Sequence, residues 1–172
     1  MTLALDIELS SSSIDKALKQ LNAYINDLPR KDEEIEFALC EEGVENAVQN
    51  IEMFDPPLGD WSTGELAESI HTEKTADGHD VVAGTDHAKF VEFGTGVKGL
   101  KNGYPYSNDA YAGWNTGETI EGEGHFEYHG MDAWSPFSGL ITSGMPSRPY
   151  MAPAALYMRS MVSQVAKEVF SR

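Results

Sequence analysis

Ser69-Ile70-His71-Thr72-Glu73-Lys74-Thr75-Ala76-Asp77-Gly78-His79-Asp80-Val81-Val82-Ala83-Gly84 decides the fold of this chain. Asp77-Gly78 stands between two runs able to form strands. An Asp-Gly step there favours a tight hairpin, because glycine adopts positive φ without a Cβ clash. The pattern predicts a first strand over 69–74, a turn at Ala76-Asp77-Gly78 and a second strand over 79–84. Two strands alone are marginal in water, so this hairpin needs helices to cover it.

Both flanks supply them. Upstream, Ser11-Ser12-Ser13 offers N-cap hydroxyls, and Ile14, Leu18, Leu21, Ile25 and Leu28 recur at intervals of four and three that place them on one helical face. Pro29 is expected to end this helix. A second helix is expected over 32–53, with Phe37, Cys40, Val44, Ala47, Val48 and Ile51 as its apolar stripe. Its outer face carries Glu33, Glu34, Glu36, Glu41, Glu42 and Glu45, the pattern of a solvated helix surface. Cys40, on the stripe, reads as a small buried hydrophobe rather than a nucleophile. Ahead of both helices, residues 2–9 alternate like a short strand.

Asp55-Pro56-Pro57-Leu58-Gly59-Asp60 marks a break in texture. Beyond the hairpin, residues 87–93 read as one or two helical turns stopped by Gly94. A last helix is expected over 153–170: Pro153 suits its first turn, and Met158, Met161, Val162, Val165 and Val169 form its buried stripe. Between these helices, residues 97–147 hold nine Gly, four Tyr and two Trp with almost no aliphatics. So long a connection is uncommon within a compact domain. Its aromatics predict at least partial packing as a loose hairpin, with interface-type residues such as Trp114 and Trp134 on its surface. The expected architecture is α+β, a single domain over 1–172. Two N-terminal helices and a C-terminal helix pack on a small antiparallel sheet with a β-hairpin, and 97–147 is a long Gly- and aromatic-rich insertion loop.

Charge narrows the partners. The 172 residues carry 12 Lys and Arg against 28 Asp and Glu, a net of −16. Sequence-independent binding of nucleic acid uses Lys and Arg to displace counterions from phosphates, and this chain is built the other way. Anionic membranes are disfavoured for the same reason, and no apolar run approaches the ~20 residues of a membrane helix. One cysteine, Cys40, makes no internal disulfide. The start MTLALDIELSSSS lacks a basic region ahead of an apolar one, so no secretory signal is expected there and a reducing, aqueous compartment is. The charge is also uneven: residues 1–60 carry −10, whereas 148–172 carry +3. That asymmetry suggests head-to-tail contact between copies, or an acidic face bordering DNA without adhering to it.

Chemistry-bearing motifs are few. Gly94-Thr95-Gly96-Val97-Lys98-Gly99 matches GxGxxG in letters, but the dinucleotide fingerprint needs a strand before it and a helix after it. Here a short helix precedes, and Leu100-Lys101-Asn102-Gly103-Tyr104-Pro105 follows, which cannot open one. His125 and His129, four apart and near Glu121 and Glu123, would share a metal only on a helix, and Gly122, Gly124 and Gly130 argue against that. No GxSxG elbow, P-loop or CxxC pair is present. The seven methionines, at their spacings, read as core.

Three segments nevertheless resemble one family. Thr63-Gly64-Glu65-Leu66-Ala67-Glu68-Ser69-Ile70 resembles a TG-x-L-x-x-S-I element, and Asp86-His87-Ala88-Lys89-Phe90-Val91-Glu92-Phe93-Gly94-Thr95-Gly96 resembles a YA-x-x-V-E-F-G-T-G signature. Gly144-Met145-Pro146-Ser147-Arg148-Pro149-Tyr150-Met151-Ala152-Pro153-Ala154 resembles G-M-P-x-R-P-F-M-x-P-A. In order and separation these are similar to the tail-completion or head–tail joining proteins of long-tailed bacteriophages, the gene-product-ten family. His87 stands where Tyr is usual, Tyr150 where Phe is usual, and the insertion is long. The resemblance implies a structural virion protein at the neck or tail top rather than an enzyme. It would be an α+β subunit in several copies that helps a completed tail dock to the DNA-filled head. Implied partners are head-closure, tail-terminator or tail-tube subunits and further copies of itself, as a homo-oligomer or ring-associated copies. No cofactor, metal, membrane or sequence-specific nucleic acid is implied. The implied location is the virion, reached by assembly in the host cytoplasm.

Glu92, Phe93, Gly94, Thr95, Arg148, Pro149 and Tyr150 carry the signature, and Trp114 and Trp134 join them as interface candidates. Within it, Gly94 is expected in a left-handed helix stop, Pro146, Pro149 and Pro153 stiffen the approach to the last helix, and Glu92 is expected to pair with Arg148. Two other readings compete: a small metal-dependent enzyme using His125 and His129, and an acidic regulatory protein whose glutamates imitate DNA phosphates.

Overall fold

A computed structural model describes residues 11–54, 63–94, 105–106, 125–128, 131–134 and 144–172. The Asp77-Gly78 turn forms where it is expected. Strands β1 (Ile70–Lys74) and β2 (His79–Ala83) pair antiparallel, with Ile70 opposite Ala83 and Lys74 opposite His79. Gly78 takes φ 143°, and the Thr75 amide donates to its carbonyl at 2.8 Å.

The helix before the hairpin departs from expectation. A single helix, α1 (Ser11–Glu52), runs 42 residues with Pro29 inside it. A proline interrupts the i→i−4 ladder and disfavours helix in the residue before it, which makes it a frequent boundary but not an obligatory one. Strong helical pattern on both sides carries the helix across. Arg30 binds Asp27 at 2.7 and 3.0 Å and also meets Glu34, tying together the turns around the interruption.

Two short helices follow: α2 (Glu65–Glu68) leads into β1, and α3 (Ala88–Phe93) follows β2. Within 97–147, β3 (His125–Tyr128) and β4 (Met131–Trp134) form a second antiparallel pair, with His125 opposite Trp134. The last helix, α4 (Met151–Ser171), begins two residues before Pro153. The expected strand over 2–9 and most of the insertion lie outside the described residues.

Helix α4 lies antiparallel along the second half of α1. Asn50 donates to the Tyr150 carbonyl at 3.1 Å, the Tyr157 hydroxyl donates to Glu42 at 3.1 Å, and Lys31 donates to the Val169 carbonyl at 2.9 Å. The core beneath comprises Ala47, Ile51, Leu66, Ile70, Ala88, Val91, Tyr150 and Ala154. Burying each large aliphatic among these contributes roughly 1.5–3 kcal/mol. Cys40 is buried and its thiol donates to the His79 carbonyl at 3.2 Å, as its place on the stripe suggests. On α4 the buried face is turned slightly from the expected one: Ala152 and Ala154 join Val165 and Val169, while Val162 is exposed. Phe37 also stays half outside, its ring edge-on to His79 at 5.6 Å. No helix among the described residues is long and apolar enough to cross a membrane.

Candidate functional site

The two strongest signature segments meet at one junction, the start of α4. The first four N–H groups of any helix lack intrahelical acceptors and carry the positive end of the helix dipole. In α4 they are met by Glu92, an α3 side chain only 2% exposed. One carboxylate oxygen accepts from the amides of Tyr150 at 2.6 Å and Met151 at 2.9 Å, and the other accepts from Ala152 at 3.1 Å. Charge-assisted bonds of this kind are about twice as strong as neutral ones. Glu92 therefore does join the two signatures, but through backbone amides instead of the Arg148 guanidinium. Arg148 turns elsewhere: its backbone amide donates to the Val91 carbonyl at 2.8 Å, and its guanidinium lies over the Phe54 ring, 5.8 Å from the centroid.

Gly94 explains the rest of the junction. It caps α3 with its amide donating to Phe90 at 2.9 Å, at φ 78° and ψ 175°. The sign of φ is as expected, but the ψ value sends the chain out extended instead of into a left-handed turn. A Cβ at Gly94 would lie 2.5 Å from the Ser147 amide nitrogen and 2.9 Å from the Met145 carbonyl oxygen. Both are backbone atoms that no rotamer change relieves, so this position requires glycine on two counts. Tyr150 is buried, its hydroxyl 3.4 Å from the Ala88 carbonyl. Burial, assisted by the Glu92 charge, raises the pKa of its phenol far above the ordinary value of 10.0. The third motif segment serves the same core: Gly64 takes φ 79°, Leu66 and Ile70 are buried, and the Ser69 hydroxyl donates to Leu66 at 2.7 Å.

Glu92, Phe93, Gly94, Arg148, Pro149 and Tyr150 are thus drawn together. Thr95 and Trp114 lie outside the described residues, and Trp134 closes β4 in the separate second sheet. His125 opens strand β3 rather than a helical turn, and His129 lies outside the described residues. The helix before Gly94 is likewise the reverse of what a dinucleotide fingerprint needs.

Lys31 was not singled out by the sequence, where it is one charge in a dense run. It is 6% exposed and caps the opposite end of α4, with its ammonium on the Val169 carbonyl and 5.3 Å from the Phe170 ring centroid. An anion at one end and a cation at the other complement the helix dipole. Near Lys31 an open groove of about 300 Å³ runs between α1 and α4, floored by Phe37, Ala38 and Val165 and edged by Glu34, Glu42 and Arg172. Among the described residues no group of three His, Cys, Asp or Glu side chains is placed to hold a metal ion. The chain matches no known protein family, no characterised protein and no solved structure.

Chemically the junction is a clamp. Both oxygens of the Glu92 carboxylate accept from amides at the start of α4, which positions that side chain to hold a backbone.

Proposed function

We propose that this chain is a structural protein of a tailed-phage virion, placed at the neck or tail top. There it helps complete the tail and join it to the filled head through contacts between protein surfaces rather than catalysis. The observation that carries this is the Glu92 junction. The two segments whose residues resemble tail-completion proteins lie some 50 residues apart in sequence, yet they form one buried unit through the Tyr150, Met151 and Ala152 amides. Resemblance confined to short strings would have no reason to coincide with a single tertiary contact. A further support is the composition of 97–147, where Trp and Tyr, residues enriched at protein interfaces, stand among glycines.

On this proposal the protein acts in several copies, its partners are head-closure, tail-terminator or tail-tube subunits, and it is assembled in the host cytoplasm. Deleting its gene from the phage should leave DNA-filled heads and finished tails that do not join, visible by electron microscopy, with joining restored by the wild-type chain. Normal virions from the deletion would overturn it. Native mass spectrometry with the neighbouring neck and tail subunits supplies the binding counterpart.

A further inference from the structure

We propose that the first half of α1 is a self-association surface, covered by the same segment of a second copy running antiparallel to it. Ile14, Leu18, Leu21 and Ile25 are 45%, 51%, 38% and 50% exposed. With Leu28 they follow intervals of four, three, four and three. That 3.5-residue period is the seam of paired helices, narrower than the 3.6-period face a helix lays on a globular core. Helix α4 meets Lys31 at Val169, two residues before α4 ends at Ser171. Residues 11–30, about 30 Å of helix at ~1.5 Å per residue, carry the seam beyond the core.

Several observations point to a second copy as the occupant. The seam calls for another helix with a matching open seam, and among the described residues α1 itself is the one that presents it. Residues 97–147 of the same chain, with nine glycines, have the wrong composition for a filling helix. Charge agrees: residues 11–30 hold Lys16, Lys19 and Arg30 against Asp15 and Asp27, a net of +1 in a chain of −16. A second acidic molecule can approach here without the repulsion it meets elsewhere.

Charge also sets the direction. Residues 31–53 carry −7, so a parallel pair would place two such faces side by side. An antiparallel pair centred on Leu21 sets Ile14 of one copy against Leu28 of the other and brings Leu18 within one residue of Ile25. The acidic halves then lie at opposite ends, about 30 Å apart along the helix at ~1.5 Å per residue, several times the ~8 Å Debye length of physiological salt. This inference stands or falls separately from the virion proposal, because it is tested on the purified chain alone.

Sedimentation equilibrium of the full chain should give a dimer of the 18.9 kDa subunit. Leu18→Asp with Ile25→Asp should weaken it by roughly a hundredfold or more, from the loss of four apolar side chains at the seam. Leu18→Ala with Ile25→Ala provides a milder version should the first fail to fold, and thermal unfolding of the core should be unchanged in both. Under oxidation Leu21→Cys should cross-link while Ile14→Cys alone should not; the native Cys40 is buried and stays out of the reaction. A monomer at every concentration overturns the proposal, including one whose residues 14–28 are protected from hydrogen exchange by the rest of its own chain. So does a dimer indifferent to both double variants, and equal cross-linking at positions 14 and 21 overturns the antiparallel arrangement.

Discussion

Glu92 concentrates the energetics of the fold in one side chain. Replacing it with alanine leaves the Tyr150 and Ala152 amides buried without their acceptor, and breaking a buried charged network of this kind costs ~3–5 kcal/mol. Glutamine keeps one acceptor oxygen and the shape, so Glu92→Gln should lose about 1–3 kcal/mol; urea unfolding of the two variants would separate them, and equal loss would mean that volume rather than hydrogen bonding matters. Tyr150 makes a pH prediction. Its phenol pKa is raised in the folded chain, above the ordinary 10.0 of the unfolded one. The associated stability is therefore intact below pH 10 and drains away as the solution becomes more alkaline, because only the unfolded chain readily gives up the proton. Tyr150→Phe should cost about 1 kcal/mol or less near neutrality and decline less steeply above pH 10, measured by thermal unfolding across that range. Of this residue-level detail, the sequence reveals that Glu92 and the 148–150 segment belong together. It does not reveal the true acceptor–donor pairing, because backbone amides carry no letter of their own and an arginine nearby looks like the obvious counter-charge.

At the scale of elements, α1 is the instructive case. Read locally, Pro29 separates two amphipathic stretches; in the structure one helix spans it, and the proline is retained at an interior position that ordinarily costs ~3 kcal/mol. Pro29→Ala should accordingly stabilise the protein by about 1–3 kcal/mol and add helical signal in circular dichroism; unchanged or lower stability would show that the interruption is structurally required. The hairpin, by contrast, was legible to within a residue at its strand ends, because Asp77-Gly78 encodes its turn in the two residues that make it. The α3 stop at Gly94 was legible for a like reason. Packing directions were not: whether Val162 or Ala154 faces α1 depends on a rotation of α4 set by its two end clamps, and those come from residues far away in sequence. Exposure of the Ile14–Ile25 stripe was hidden as well, since an apolar stripe looks the same in sequence whether its partner lies in the same chain or in another.

For the molecule as a whole, the arrangement of charge takes on a different meaning once the fold is known. The +3 of residues 148–172 is carried by the segment that packs along the acidic half of α1 in the same copy, with Arg159, Lys167 and Arg172 exposed. The salt response of self-association should follow. Contact guided by opposite charges would weaken as salt rises, whereas an apolar seam between acidic subunits should tighten as repulsion is screened; sedimentation at 0.05 and 0.5 M salt, roughly a threefold change in Debye length, would distinguish the two. The clamps on α4 also bear on how the protein is made. Glu92 and Lys31 leave the ribosome well before the helix that satisfies them, and Tyr150 and Ala154 belong to the same buried core as Ala47, Ile51, Leu66 and Ile70. Folding must therefore wait for the last stretch to be synthesised. A chain cut short before residue 150 should remain sensitive to protease, measured by limited proteolysis of the truncated and full-length chains.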